Sequence, residues 1–271
     1  MFAALQAAWE VLSEGGPALD AVVGAVACLE HSGHFNAGRG AVVTSQGTVE
    51  TDAAVMDGAS GTTGAVCAAT WPDSPVRAAR AVLGLGGPAA GPVLLAGSGA
   101  DLFCEKAGLA RRDPALLRKR GVVPVSPSGT VGAVALDKDG HLAAATSTGG
   151  RLGKLPGRVG DSPIAGAGTW ANDNGVAVSA TGEGESFLVV GFAHRLEWAV
   201  KTGGTLEVAL RDALGCVEAV GGCGGAITLT RDGRFVVGFD TSAMVRGWQD
   251  DSGPVLPPLG RGEDESSGAA F

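Results

Sequence analysis

The stretch Ser126-Pro-Ser-Gly-Thr-Val-Gly-Ala-Val-Ala-Leu-Asp-Lys-Asp-Gly-His-Leu-Ala-Ala-Ala-Thr-Ser-Thr-Gly-Gly150 decides how this chain is read. Val131, Ala133 and Ala135 alternate with Gly132, Val134 and Leu136, the two-residue period of a strand. Asp137-Lys138-Asp139-Gly140 is a turn, where Gly140 is free to take positive φ. Leu142 to Thr148 then returns as the second arm of a hairpin. Two features exceed a plain hairpin. Thr130 opens the first strand behind Pro127 and Gly129, and the second strand ends on Thr146, Ser147 and Thr148. Hairpin partners face one another, so Thr130 and Thr148 are predicted to lie side by side.

That pairing suggests chemistry. A threonine hydroxyl is a poor nucleophile until a base takes its proton. A free α-amino group on the same residue can serve, with an ordinary pKa of about 7.7–8.0. Freeing that amine requires cutting the Gly129–Thr130 bond. Thr130 Oγ can do this itself by attacking the Gly129 carbonyl, an N-to-O acyl shift followed by hydrolysis. Gly129 leaves room and permits a strained backbone. Most Gly-Thr pairs simply begin a strand, and from these two residues alone that plainer reading is favoured.

Working outward, the chain has 271 residues, 45% hydrophobic and 18% charged, enough for one large domain with a sizeable core. Its 46 glycines show no collagen-like period and imply many tight turns. A net charge of −8 argues against nucleic acid, which needs a basic stripe. Cys28, Cys67, Cys104, Cys216 and Cys223 match no zinc or redox spacing and read as reduced core thiols. No basic leader with an apolar run opens the chain, and no apolar stretch reaches membrane length, so a cytoplasmic location is expected. His31, His34, His141 and His194 form no metal spacing.

Helices are predicted at 2–14 and, after Pro17, to about His31. Phe35 to Gly40 is a glycine-punctuated loop, and 41–45 with 48–52 reads as a hairpin over Gln46-Gly47. A buried strand is expected at 65–71, a helix at 75–83, a short strand at 93–96 and a helix at 100–107. The basic run 111–120 reads as an exposed linker. After the central hairpin come a polar loop (149–162), strands at 164–170 and 175–180, and one helix over 187–200. A helix at 206–214 and a hairpin of 226–230 with 235–239 follow. From 250 to 271 Pro, Gly, Glu, Asp and Ser dominate, and disorder is expected. Antiparallel hairpins with helices in blocks suggest an α+β class with helices covering two stacked sheets.

Several segments together resemble a known family. They are Phe35-Asn36-Ala37-Gly38-Arg39-Gly40, Asp52 to Gly58, Gly129 to Asp137, Ala145 to Gly150, Lys154 to Pro163, Gly166 to Gly168 and Thr181-Gly182-Glu183-Gly184-Glu185. In order and spacing the chain resembles the isoaspartyl peptidase/L-asparaginase family, the plant-type asparaginases among the N-terminal-nucleophile hydrolases. The likeness spans roughly 5–248, weakly between 84 and 128. It implies a four-layer αββα sandwich as a single domain over 1–249, cut into 1–129 and 130–249. It implies hydrolysis of β-aspartyl amides, in L-asparagine and isoaspartyl dipeptides, without a required cofactor.

Carried over by position, Thr130 is similar to the family's nucleophile and Thr148 to the threonine bonded to it. Arg158 and Asp161 are similar to its substrate clamp. Their chemistry agrees, because a guanidinium fork holds a carboxylate and an aspartate holds an ammonium. Taken alone, an Arg and an Asp three apart in a polar loop read better as a surface ion pair. Thr181 and Gly182 resemble the oxyanion hole, and Gly184 a backbone contact to substrate. The same five residues also read as an acidic helix start. The main-chain carbonyls of Leu29, Glu30, Ser32, Phe35, Ala37 and Arg39 match the family's monovalent-cation loop, with Na⁺ as the implied ion. A homodimer of αβ units acting on small molecules is implied as well.

Family members usually begin with a strand ending in a His-Gly-Gly-Ala-Gly-like turn. This sequence starts inside what corresponds to the helix after it, which implies an open sheet edge near Thr130. Two other readings stay open: a glycosylasparaginase with the same machinery, and an unprocessed, non-catalytic member.

Overall fold

The computed structural model describes residues 1–113 and 129–258. The segments 114–128 and 259–271, with most of the predicted basic linker and the last part of the tail, lie outside the described residues. In chain order the first half gives α1 (Phe2–Ser13), α2 (Ala18–Ser32), β1 (Thr51–Asp57), β2 (Thr62–Ala69), α3 (Pro75–Leu83), β3 (Leu94–Ala96) and α4 (Gly97–Lys106). Next come β4 (Val131–Leu136), β5 (Leu142–Thr148), β6 (Thr169–Ala171), β7 (Val176–Gly182), α5 (Gly184–Val190), α6 (Phe192–Lys201) and α7 (Leu206–Ala219). The chain finishes with β8 (Gly224–Thr230), β9 (Phe235–Phe239), β10 (Trp248–Asp250) and β11 (Gly253–Val255). The class is α+β.

The central hairpin has the bounds its alternation predicts. β4 pairs antiparallel with β5 from Val131 opposite Ser147 to Leu136 opposite Leu142, with Gly140 at φ 80 in the turn. The turn also serves the helix behind it. Asp137 Oδ2 accepts the N–H of Ala18 at 3.0 Å, capping α2, which Pro17 precedes without a side-chain cap of its own. β5 then pairs with β1, and the sheet runs β3-β2-β1-β5-β4. Every neighbouring pair is antiparallel except β2 with β3. The second sheet runs β6-β7-β8-β9, all antiparallel.

The faces follow from the period of two. Ala53 and Val55 of β1, with Ala143 and Ala145 of β5, pack beneath Val22 and Val26 of α2 and Val76 of α3. On the other face Met56, Leu142 and Ala144 meet Ala177 and Leu229 of the second sheet. The outer face of that sheet, through Val176, Val178 and Ala226, packs on Phe187, Phe192, Leu196 and Leu210 of α5 to α7. Phe187 and Phe192 are fully buried, their ring centroids 4.7 Å apart, each contributing about 1.5–3 kcal/mol by burial.

Several predicted elements differ. The 41–45/48–52 hairpin is only a closed turn, with Thr44 N–H on Thr48 O at 2.8 Å; the strand begins at Thr51. β1 and β2 meet through a bulge between Thr51 and Ala53, which the sequence pattern does not show. The 164–170 strand shrinks to Thr169–Ala171 because 161–168 is a run of turns, with Ile164 and Gly168 donating to Asp161 O. The helix over 187–200 is two helices, since Gly191 sits at φ 61 and caps the first. α7 runs on to Ala219 rather than stopping at Leu214. Past residue 250 the chain is ordered far enough to form the β10–β11 hairpin, Trp248 stacking on Phe235 at 5.2 Å.

β4 stands at one edge of its sheet, and β5 is its only strand partner among the described residues. Its outer side faces an apolar cleft of about 130 Å³ between α1, β8 and β9, lined by Leu5, Trp9, Val134, Ile227 and Phe235.

Candidate active site

Thr130 immediately precedes β4, and Thr148 ends β5. Their hydroxyls meet, Thr130 Oγ1 donating to Thr148 Oγ1 at 3.1 Å. Thr148 Oγ1 also accepts the N–H of Gly150 at 2.9 Å, which fixes the threonine's rotamer through the turn that follows it. The loop around Asn36 binds both ends of this arrangement. Asn36 N–H donates to Gly129 O at 3.0 Å, and Asn36 O accepts from Gly149 N–H at 2.8 Å. Its side-chain amide donates to Gly150 O at 2.6 Å and accepts from Val42 N–H at 2.9 Å. Gly149 is obligatory there, because a Cβ would strike Asn36 Oδ1 and Ala41.

A cavity of about 560 Å³ opens in front of Thr130. Gly129, Thr130, Thr181, Gly182 and Gly224 line it, with Arg246 and the 241–245 loop on the far wall. Thr181 and Gly182 end β7, paired with Gly225 and Gly224 of β8. A Cβ at Gly182 would run into Cys223 O and Gly224 Cα, so only glycine lets the two strands close here.

Arg158, Asp161 and Gly184 form a second group, joined to the first through the short turn 181–184. A Cβ on Gly184 would stand 2.7 Å from Asp161 Oδ1 and 3.1 Å from Arg158 Nη2. They are not among the cavity-lining residues. Asp161 is buried, its Oδ2 has no hydrogen-bond partner, and burial pushes its carboxyl up to about 7 against the pull of Arg158. Arg158 is engaged: Nε and Nη2 donate to Glu185 Oε1 and Oε2 at 2.8 and 2.6 Å, a two-bond fork. That hydrogen bonding holds the Glu185 carboxyl low. Sequence reading gave Glu185 only a helix-start role, and its place in Thr-Gly-Glu-Gly-Glu beside a distant arginine carries no signal for the fork.

Sequence reading also missed three buried polar features. Glu30 uses its carboxylate as well as its backbone. Oε1 accepts from Ser147 Oγ (2.6 Å) and Val76 N–H (2.9 Å), and Oε2 from Ser74 Oγ (2.5 Å). Asp52, opposite Thr148 in the β1–β5 register, lies 3.9 Å from the ammonium of Lys154, and both side chains are out of solvent. Thr146, Thr169 and Ser179 hydrogen-bond between the sheets. Signals existed for the first and third: a lone Glu on the apolar face of a helix, and a run of hydroxyl residues in an otherwise apolar strand.

In the Leu29–Arg39 loop, α2 ends at Gly33 (φ 71) and a single 3₁₀ turn spans Gly38–Gly40. Leu29 O accepts from Ser32 Oγ, and Phe35 O and Ala37 O each accept one backbone N–H. Arg39 and His31 close the loop's outer side on Asp73 at 3.0 and 3.2 Å. Among the described residues no cluster of His, Cys, Asp and Glu could hold a metal ion. All five cysteines are free thiols, with burial pushing Cys67 up to about 12.

The asparaginase family model matches residues 1–122 and 122–255. The chain belongs to the asparaginase family. It is 41% identical over 263 residues to the isoaspartyl peptidase of Escherichia coli K12, covering 88% of this chain and 81% of that one. To the plant-type L-asparaginase of Pyrobaculum calidifontis it is 42% identical over 255 residues, covering 86% and 83%. To the human isoaspartyl peptidase/L-asparaginase it is 38% identical over 261 residues, covering 90% and 83%. Among the described residues of this asparaginase-family chain, no helix is long and apolar enough to cross a membrane.

Proposed function

We propose that the chain hydrolyses β-aspartyl amide bonds, those of L-asparagine and of isoaspartyl dipeptides, using Thr130 as an N-terminal nucleophile. The observation that carries this is the meeting of Thr130 and Thr148 at 3.1 Å, at the mouth of the cavity that Thr181 and Gly182 share. The names of the relatives, isoaspartyl peptidase and L-asparaginase, support the substrate class.

Maturation comes first. Thr130 Oγ attacks the Gly129 carbonyl carbon, and the N–H of Asn36, already on Gly129 O, stabilises the oxygen as it gains charge. The peptide C–N bond breaks, an ester forms, and water releases the 1–129 piece with a free carboxylate. The 130–271 piece then begins with the Thr130 amine. In turnover the amine takes the Oγ proton while Oγ attacks the substrate's side-chain amide. Thr181 Oγ and Gly182 N–H stabilise the oxyanion, and the proton passes to the leaving ammonia or peptide amine. Water then hydrolyses the aspartyl ester. Asp161 holds the substrate ammonium, and Arg158, steadied by Glu185 on one side, offers Nη1 to its carboxylate.

The two facing sheets and the helices outside them support the four-layer αββα sandwich. We assign the carbonyl loop from Leu29 to Arg39 to a structural Na⁺ ion, the assembly to a homodimer of αβ units, and the location to the cytoplasm. No ion or cofactor enters the chemistry. The test is mass spectrometry of the 26.7 kDa chain during incubation, paired with ammonia release from asparagine and amine release from β-aspartyl dipeptides. Two fragments joined at 129/130, with activity rising as they appear, are expected. A chain that stays whole and hydrolyses neither substrate sinks the reading.

A further inference from the structure

Thr146 stands two residues before Thr148 on β5, and Ser179 two before Thr181 on β7. The strand period of two puts each on the same sheet face as the threonine that follows it. Those two faces look at one another. Thr146 Oγ1 lies 2.7 Å from Ser179 Oγ and 2.6 Å from Thr169 Oγ1. Thr169 Oγ1 lies 2.8 Å from the carbonyl oxygen of Ser162, the neighbour of Asp161. All four residues are buried. At the other end of this chain of hydroxyls, Ser179 reaches the wall of the cavity in front of Thr130. It fills the space that a side chain on Gly132 would need, so β4 passes against it with no gap.

At the far end of the sheets Asp173, in the turn between β6 and β7, accepts from Leu142 N–H at 2.8 Å and pairs with His141 at 2.7 Å; between that point and the hydroxyl series the sheets meet through apolar residues such as Ala144 and Ala177. Apolar contact is non-directional and leaves the sliding of one sheet over the other weakly specified. Three hydroxyls bonded in series fix both distance and angle, and a buried hydroxyl that loses its partner is destabilising. The series touches three parts of the candidate site and nothing else: the strand of Thr148, the strand of Thr181, and the turn that holds Asp161. We propose that Thr146 is a positioning residue that, through Ser179 and Thr169, sets the spacing between nucleophile, oxyanion donors and clamp. This inference rests on the threonine-nucleophile reading above.

The experiment compares Thr146→Val, which keeps shape and loses the hydroxyl, with Thr146→Ser, which keeps the hydroxyl, in the matured full chain. Steady-state kinetics on a β-aspartyl dipeptide are the readout. Thr146→Val and Ser179→Ala each lower kcat about ten- to a hundredfold, the penalty of a misplaced constellation. KM changes less than kcat, by under about threefold, because Arg158 keeps its fork to Glu185 and a shift in spacing is felt most by the reacting atoms. Thr146→Ser restores kcat to within about threefold of the wild type, and the Val/Ala double variant is no slower than Thr146→Val alone, since one linkage is lost once. A merely structural threonine gives no such split between kcat and KM. Should Thr146→Val not fold, Thr169→Val against Thr169→Ser makes the same comparison. A Thr146→Val enzyme with wild-type kcat, or a Thr146→Ser enzyme as slow as Thr146→Val, overturns the inference while leaving the activity reading intact. A wild type that hydrolyses no β-aspartyl bond overturns both.

Discussion

Thr130 Oγ1 donates to Thr148 Oγ1 across 3.1 Å, at the ends of two strands whose register sets Val131 opposite Ser147. The register makes that meeting unavoidable: one residue of slip would turn every side chain of β4 to the other face. The hydrogen bond has a direction with consequences. It orients the Thr130 hydroxyl and polarises its O–H before any amine exists, so Thr148 is expected to matter for maturation as well as turnover. Thr130→Ala should leave the chain whole and inactive. Thr148→Val should slow the appearance of the 129/130 fragments about a hundredfold, as the loss of a group that orients a nucleophile does. Timed mass spectrometry reads both, and a Thr148→Val chain that matures at the wild-type rate would falsify the role given to Thr148.

Asp161 supplies a pH dependence whose sign is fixed by its burial. Its carboxyl is pushed up to about 7 in the free protein, so below that pH it is mostly neutral. A substrate ammonium binds only the ionised form and must expel the proton. KM is therefore expected to rise as pH falls below about 7, approaching tenfold per pH unit. Asp161→Asn should raise KM at every pH and flatten the profile. Measuring KM from about pH 5.5 to 8.5 in both proteins checks this; an Asn variant that keeps the slope moves its origin elsewhere.

How much of this is legible in the sequence differs by element. The β4–β5 hairpin is, because alternation and an Asp-Gly turn are local signals that nothing tertiary overrides. The break between α5 and α6 is not, since Gly191 inside an apolar run looks tolerable until its φ of 61 is seen. β1 is only partly seen: the predicted strand 48–52 stops where β1 has barely begun, because Ala53 to Met56 is an apolar run without the alternation of a half-buried strand. Asp52 is there to meet Lys154, which is 102 residues away in sequence, and no local pattern reports that. The fork between Arg158 and Glu185 is invisible for the same reason. The polar residues Thr146, Ser147 and Thr148 in an otherwise apolar strand were a usable signal, but only Thr148 was given a partner.

Glu30 makes a prediction for stability. Its carboxyl is fully buried, and burial pushes it up to about 7 against the lowering effect of Ser147, Ser74 and Val76. In the unfolded chain it titrates near 4.5. Between those values the folded protein binds more protons than the unfolded one, so stability falls as pH rises through the window and is fully present below it. Asp161 acts in the same sense. Glu30→Gln keeps acceptors for Val76 and Ser147 and can donate to Ser74, so it should fold. Its urea unfolding free energy should lose about one proton's worth of slope between pH 5 and 7 relative to wild type. An unchanged slope would mean that Glu30 is already ionised when folded.

The Asp52–Lys154 pair gives the last prediction. Burial works against both charges, raising the Asp52 carboxyl and lowering the Lys154 ammonium, and each is the other's main compensation. Lys154 also donates to Glu50 O at 3.0 Å, and its backbone bridges Thr44, so its side chain pins the clamp-bearing loop to the start of β1. The carboxylate of Asp52 in turn accepts the N–H of Ala68 at 2.7 Å, where the bulge holds Ala68 at φ 47. Lys154→Met leaves a buried acid alone and should destabilise by about 3–5 kcal/mol. Asp52→Asn should cost less, because the amide still accepts from Ala68 and Lys154 keeps the Glu50 carbonyl. The Asn/Met double variant should regain part of the loss of Lys154→Met, since it removes the uncompensated charge. Thermal and urea unfolding of the three variants complete a double-mutant cycle. Strictly additive losses would show that the 3.9 Å separation carries no coupling, and that the lysine holds the loop through Glu50 alone.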